Sequence, residues 1–185
     1  MKLSIVQYGD PVLRAKGKPI RQLPDDRIRE LAKNMIETMH AANGVGLAAH
    51  QIGEPIQLTV LDVSQVEDRP TQIKLNGKDV DPNTLMPLVL SNPHVELGTE
   101  TEMGTEGCLS FPEISGEIER AKSITVRARN LDGETFEIET TGFLARAIQH
   151  EVDHLNGILF IDRMNSAAKV GLAGKLKRMQ KETRK

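Results

Sequence analysis

The chain has 185 residues, of which 38% are apolar and 27% charged, a composition that suits one compact domain with its own core. The formal net charge of −2 argues against a dedicated nucleic-acid-binding or membrane-binding protein, and no apolar run is long enough to span a bilayer. The chain turns polar at Gln7, too early for a signal peptide, and its single cysteine excludes an intramolecular disulfide. We therefore expect a cytoplasmic protein that binds neither DNA nor membranes.

The first half of the chain predicts a helix, a glycine-containing segment and two strands. Residues 25–42 place apolar side chains about 3.6 residues apart, and Pro24 and Asn43-Gly44 suit the two ends of a helix. The glycines of residues 44–51 match no phosphate-binding pattern, and we interpret this segment as backbone that a substrate can approach closely. Residues 56–63 and 88–90 are predicted strands, and the polar residues 64–86 between them suggest a surface excursion.

The second half predicts a β-hairpin followed by two helices. Apolar and polar residues alternate over 123–138, with the turn at or near Asp132-Gly133. Residues 143–155 are a predicted helix that Thr140 or Thr141 can cap. The helix-prone residues 165–185 contain seven basic residues and one acidic residue. These elements predict an α+β fold in a single domain over 1–185, with antiparallel β-sheets around the 143–155 helix, an N-terminal helix and a basic C-terminal helix.

The helix at 143–155 contains His150-Glu151-Val152-Asp153-His154, an HExxH motif. Residues four apart share a helix face, so both imidazoles can face one metal ion. Glu151 lies about 100° around the helix from His150, close enough to reach a water molecule at the metal. The alternative is a polar helix surface with two histidines, which the apolar residues flanking the motif disfavour.

A catalytic metal site commonly has three protein ligands, and Cys108 is the chief candidate for the third. An isolated cysteine is by default a small buried apolar residue, and a second alternative makes Cys108 a nucleophile with a histidine base. Gln51 offers a neutral amide donor that can polarise a carbonyl, although a glutamine in such a loop is usually a surface residue.

Three segments in this order, GVGLAAHQIG, EGCLSFP and QHEVDHLNG, resemble the peptide deformylase family, and residues 8–14 extend the likeness to the N-terminus. The resemblance covers most of the chain. It implies an enzyme, a metal-dependent amidohydrolase that removes the formyl group from the N-terminal formyl-methionine of newly synthesised polypeptides and releases formate. It also implies one divalent metal, natively Fe²⁺, with Zn²⁺, Ni²⁺ or Co²⁺ able to substitute.

The resemblance also implies roles for individual residues. The metal ligands would be Cys108, His150 and His154, and Glu151 would be the general acid and base. The oxyanion would be stabilised by Gln51 and the backbone N–H of Leu109, while the backbone of Gly46 would bind the substrate. Glu106 would pair with Arg120 and support the Cys108 loop. The methionine pocket would be lined by Val45, Phe111, Phe143 and Ala147, for which ordinary core packing is the alternative.

Two features vary from the family pattern. His50 stands where proline or threonine is common, and we expect a surface histidine there, with an extra polar group near the cleft as the alternative. The excursion at 64–86 is longer than in the shortest members, and it either shapes the rim of the cleft or only decorates the surface.

Nascent N-formyl-methionyl peptides are the expected substrates, and the basic C-terminal helix predicts a transient contact with the ribosome. One rival function is an HExxH metallopeptidase, which would need a third histidine or glutamate ligand downstream that the chain does not offer in an obvious context. The other rival is a non-catalytic ribosome-associated protein. Loss of Glu151, Cys108 or Gln51 would favour it, and all three are present.

Overall fold

The computed structural model describes all 185 residues, and it contains a seven-stranded sheet, a separate two-stranded hairpin and three α-helices. The strands are β1 Gly46–Ala48, β2 Leu58–Leu61, β3 Thr71–Leu75, β4 Lys78–Val80, β5 Leu88–Leu97, β6 Thr101–Cys108, β7 Phe111–Ala121, β8 Ser123–Arg129 and β9 Thr135–Thr141, and the helices are α1 Asp26–Ala41, α2 Gly142–Leu155 and α3 Ser166–Thr183. The large sheet is antiparallel with the order β1-β2-β5-β8-β9-β3-β4, and β6 pairs with β7. The predicted α+β class with antiparallel sheets is therefore confirmed.

Helix α1 begins and ends where its sequence predicts. The Asp25 side chain accepts hydrogen bonds from the backbone N–H groups of Arg27 and Ile28, which have no partner inside the helix. At the other end Asn43 adopts a left-handed conformation with φ of 55°, and the Gly44 N–H donates to the Met39 carbonyl over 3.0 Å. The buried side of α1 packs on the first strands of the large sheet.

Residues 64–86 were expected to be a surface excursion, and the structure corrects that expectation. Its middle forms the hairpin β3–β4, which turns at Asn76-Gly77 with φ values of 50° and 85°. Strand β3 pairs with β9 along its length, and Ile73 is buried against the core of the large sheet. The segment therefore extends the sheet, and an Asn-Gly pair between alternating residues was the signal for it.

Helix α2 lies between the large sheet and the hairpin. Leu144 and Ile148 are fully buried in the cluster that covers the large sheet. The helix is not capped by the side chain of Thr140 or Thr141, contrary to expectation. Instead the Pro70 carbonyl accepts from Phe143 N–H over 3.2 Å and the Thr71 hydroxyl from Leu144 N–H over 2.9 Å. Pro70 and Thr71, at the start of β3, thus fix the start of this helix.

The hairpin β6–β7 lies on the other side of α2. Its first strand, β6, ends at Cys108, beside that helix. Helix α3 packs its one buried side chain, Leu176, into an apolar cluster that also holds Phe111, Ile118 and Phe160. None of the helices combines the length and the apolar character that crossing a membrane requires.

Candidate active site

Cys108, His150 and His154 come together in the structure. Cys108 is the last residue of β6, and the two histidines lie one turn apart on α2. One donor atom from each of the three residues lies within 4.8 Å of the other two, and Cys108 Sγ is 3.3 Å from His154 Nε2. Both histidines are buried and Cys108 is half-buried. One sulfur and two nitrogens in this arrangement fit a divalent transition metal.

The two imidazoles have different surroundings. His150 Nδ1 is 2.9 Å from Glu106 Oε1, so this nitrogen donates to the carboxylate and Nε2 keeps its lone pair for a metal. Burial alone would lower the pKa of His150, but the metal-free ring beside Cys108 and Glu106 has its pKa raised to about 10, so a metal at Nε2 would take the place of the proton on that nitrogen. Burial, together with the charge of His150, holds the pKa of His154 well below its usual range. His154 Nδ1 is buried without a hydrogen-bond partner in the protein.

Glu106 is the centre of a buried charged network. It accepts 2.8 Å hydrogen bonds from Arg120 Nε and Nη2 and from Arg146 Nη1, in addition to the contact with His150. Arg120 Nη1 continues the network to Asp153, 2.6 Å away. Burial alone would raise the pKa of Glu106, but the hydrogen bonds and charges of Arg120 and His150 hold it well below its usual range. Glu106 is therefore an anion that orients His150.

Arg146 and Asp153 were missed in the sequence because charged residues on a helix are usually exposed. Arg146 is 4% exposed, and its guanidinium occupies space that a side chain at position 104 would fill. A Cβ added to Gly104 would come within 2.7 Å of Arg146 Cζ. The available signal was spacing, since Arg146 precedes His150 by four residues and shares its helix face.

Glu151 lies beside the cluster in a setting that keeps its carboxyl group from ionising readily. Burial raises its pKa to about 7, against the opposing charge of His150. Its Oε1 is 4.0 Å from His150 Nε2, and its Oε2 is buried with no hydrogen-bond partner. A Cβ at Gly46 would come within 2.6 Å of Glu151 Oε1, so only glycine allows this strand to approach so closely.

Gln51 is buried in the short 3₁₀ helix Ala49–Ile52, and its amide is oriented by hydrogen bonds. Its Oε1 accepts from the Ala48 N–H over 3.0 Å, which turns Nε2 toward Ser110 Oγ at 3.1 Å and Cys108 Sγ at 3.5 Å. Leu109 follows Cys108 in the turn of the hairpin. The amide donor of Gln51 therefore points at the proposed ligand set.

A cleft of about 250 Å³ opens onto Cys108, His150 and Glu151. Its apolar lining comes from Val45, Leu109, Phe143 and Ala147, and charged residues at its wall include Arg69 and Arg146. Phe111 does not line the cleft, contrary to expectation. It is buried between Tyr8 and Phe160, with ring centroids 4.7 and 5.1 Å away, because the start of β7 turns its side chain into the core under α3.

The expectation of a surface histidine at position 50 is also wrong. His50 is fully buried, and its Nε2 is 2.8 Å from the Ala15 carbonyl. Burial lowers the pKa of His50, so the neutral ring is favoured. Gly17, which lies against this ring, leaves room for it, since a Cβ there would come within 2.8 Å of His50 Cε1.

Comparison with known proteins matches residues 2–170 to the model of a family described as polypeptide deformylase. The chain belongs to the peptide deformylase family. A peptide deformylase from Opitutus terrae is 45% identical over 186 aligned positions that cover 100% of this chain and 96% of that protein. The crystal structure of the Thermotoga maritima peptide deformylase has a TM-score of 0.76 and 42% identity, covering 89% of this chain and 99% of the other. A peptide deformylase from Plasmodium falciparum gives a TM-score of 0.83 at 28% identity, with 97% and 96% covered.

The resemblance found in the three sequence motifs is confirmed by these matches. The chain is an enzyme of protein biosynthesis, a metal-dependent hydrolase that removes the formyl group from the N-terminal formyl-methionine of newly synthesised polypeptides. As a deformylase it needs a metal, and the structure offers one cluster of suitable donors, Cys108, His150 and His154.

Proposed function

We propose that deformylation takes place in the cleft beside α2, where Cys108, His150 and His154 hold one divalent metal. The observation that carries this proposal is the convergence of their three donor atoms within 4.8 Å. The hydrogen bond from His150 Nδ1 to Glu106 supports it, since that contact leaves Nε2 free. We propose Fe²⁺ as the native metal, with Zn²⁺, Ni²⁺ or Co²⁺ able to substitute, because thiolate and imidazole suit such ions. When bound, the ion supplies a Lewis acid that polarises the formyl carbonyl and makes water more acidic.

Glu151 is proposed as the group that moves protons. Its pKa of about 7, raised by burial, lets it accept a proton from the attacking water and return it to the departing amine near neutral pH. Its unpartnered Oε2 leaves one oxygen available for this exchange. Asp153, within the same motif, is instead engaged with Arg120 and Arg163 and supports the network around Glu106.

Gln51, Leu109 and Gly46 are proposed to orient the formyl group. The Gln51 amide is fixed toward Cys108, so its N–H can donate to the oxygen that gains negative charge, and the Leu109 backbone N–H would be the second donor. Gly46, which lets β1 pack closely against Glu151, would bind the substrate through its backbone. The methionine side chain would occupy the apolar part of the cleft at Val45, Phe143 and Ala147.

The role of Glu151 is tested by formate release from formyl-Met peptides with metal-loaded Glu151→Gln. We expect kcat to fall by about 10²–10⁴, the usual contribution of a positioned acid or base, while metal content and unfolding midpoint stay close to wild type. The matched control is Glu96→Gln, at an exposed position on β5, which should keep the wild-type rate. A wild-type rate in Glu151→Gln would sink the mechanism.

We also propose that residues 1–185 act as one catalytic domain in the cytoplasm and that α3 makes transient contact with the ribosome. Support for the contact comes from charge, since Lys175, Lys177 and Arg178 are exposed on a helix with one buried residue. Polyanionic RNA attracts such a surface in a salt-dependent way. Reversing these three charges to glutamate should weaken ribosome binding and flatten its salt dependence.

The matched control for that experiment reverses Lys16, Lys33 and Lys78, which are exposed outside α3. Equal loss of ribosome affinity in the two triple variants would show that only the net charge of the protein matters, and it would rule out a specific role for α3. Turnover of short formyl-Met peptides should be unchanged in both, which separates ribosome contact from chemistry.

A further inference from the structure

Arg69 lies at the wall of the active-site cleft with an unpaired guanidinium. Its Cζ is 4.2 Å from the centroid of the Phe143 ring, a cation–π contact that holds the half-buried side chain. It lines the same cleft as Cys108 and Glu151, yet its side chain makes no hydrogen bond and no carboxylate lies within 4.0 Å of it. The N–H groups of a guanidinium that is stacked on an aromatic ring and has no anionic partner are free to bind an anion.

The backbone on the C-terminal side of Arg69 is attached to the catalytic helix. Pro70 accepts the Phe143 N–H over 3.2 Å, and the Thr71 hydroxyl accepts the Leu144 N–H over 2.9 Å. The position of Arg69 is therefore tied to α2 and to the metal-ligand cluster on it. This attachment makes Arg69 part of the cleft and not a freely moving surface residue.

The other cations around Arg69, Arg146 and Lys122, already have carboxylate partners. Arg146 Nη1 donates to Glu106 and to the Ile118 carbonyl, and its Nη2 donates to the Glu102 carbonyl. On the outer side of Arg69 a shallow pocket also carries Lys122, which pairs with Glu100 over 3.8 Å, together with the side chains of Asp68 and Glu102. Arg69 is thus the cation of the cleft that has no anionic partner.

We propose that Arg69 is a specificity-determining residue that binds a carboxylate on the substrate beyond its N-terminal methionine. The apolar lining at Val45, Phe143 and Ala147 suits the methionine itself, so a guanidinium at the edge of that lining meets the second and third residues of the substrate. A guanidinium binds a carboxylate through two parallel hydrogen bonds, which an amide of the same shape cannot match. This proposal rests on the proposed active site.

The test compares acidic and amide side chains in otherwise identical peptides. Formyl-Met-Asp-Ala-amide is paired with formyl-Met-Asn-Ala-amide, and formyl-Met-Ala-Asp-amide with formyl-Met-Ala-Asn-amide. A third pair, formyl-Met-Ala-Ala as free acid and as amide, distinguishes a chain-terminal carboxylate from a side-chain one. We expect wild type to prefer the carboxylate in at least one pair by about fivefold in kcat/KM, mainly through KM, as a partly exposed ion pair allows. Raising the ionic strength should reduce that preference.

Arg69→Gln should bring the preferred pair to a ratio near one, and Arg69→Lys should keep part of the preference. The matched control is Arg21→Gln, which removes the same charge at an exposed position, and it should keep the wild-type ratio. Equal turnover within every pair in wild type, or a preference that survives in Arg69→Gln, would overturn the proposal. Absence of formate from all six peptides in wild type would instead contradict the deformylase activity itself.

Discussion

The two sides of α2 are built from opposite kinds of residue. On one side Leu144 and Ile148 are fully buried against the large sheet, with no polar contact from their side chains. On the other side Glu106 takes hydrogen bonds from Arg120, Arg146 and His150 in a buried ionic network. The apolar side determines where the helix lies, because burial is non-directional. The ionic side determines how His150 is aimed, because hydrogen bonds are directional.

The largest expected effect comes from breaking the ionic side with Glu106→Gln. The substitution removes the carboxylate partner of buried Arg146 and one of the two carboxylate partners of buried Arg120, and we expect a loss of about 3–5 kcal/mol in the free energy of unfolding. Metal affinity should fall by about 10–100-fold because His150 loses its carboxylate partner. Chemical denaturation and competitive metal titration measure the two effects.

Arg163→Gln is the control for that variant. Arg163 pairs with Asp153 at the outer end of the network, and its side chain is 44% exposed. We expect less than about 1 kcal/mol of destabilisation and unchanged metal affinity. If Glu106→Gln changed stability and metal affinity as little as this control does, the network would not orient His150.

The apolar side is tested by Ile148→Ala. Removing this fully buried side chain should cost about 2–5 kcal/mol, since the cavity left behind is only partly filled. Metal affinity and kcat of the folded fraction should remain at wild-type values. A fall in metal affinity that matches Glu106→Gln would contradict the division of roles between the two sides.

The sequence predicts α2 and the β8–β9 hairpin well because their signals are local. Apolar residues recur with the helical period over 143–155, and Asp132-Gly133 marks a turn between alternating strands. The observed helix, Gly142–Leu155, differs by one residue at its start. The motif also provided Glu151 and the two histidines, which local spacing places on neighbouring parts of one helix.

Tertiary contacts decided what the sequence could not. His50 is buried by Gly17 and Ala15, which are distant in the chain, so no local pattern distinguishes it from a surface histidine. Phe111 fills the core under α3 and not the cleft, because the start of β7 turns its side chain toward that core. The hairpin β6–β7 was missed because few of its residues are buried, which weakens any alternating pattern.

His50 sharpens the comparison because it is a buried titratable group with no charged partner, unlike His150. Its folded pKa is lowered by burial, so the unfolded chain takes up the proton first as the pH falls. The stability that the neutral ring contributes is complete above about pH 6.5 and is lost below it. Between pH 7.5 and pH 5.5 wild type should therefore lose more of its free energy of unfolding than His50→Gln does.

Denaturant unfolding of both proteins at the two pH values gives that difference. His50→Gln is a suitable variant because its amide can still donate to the Ala15 carbonyl, yet it carries no charge at any pH. Parallel pH profiles in the two proteins would show that His50 titrates normally and is not held neutral.

The most direct test of the central claim is the metal content of anaerobically purified protein, measured beside formate release. We predict one metal per chain in wild type, and loss of both metal and activity in Cys108→Ala and in His154→Ala, with the fold retained by circular dichroism. Full metal content and activity in either variant would falsify the assignment of Cys108, His150 and His154 as the metal ligands of this deformylase.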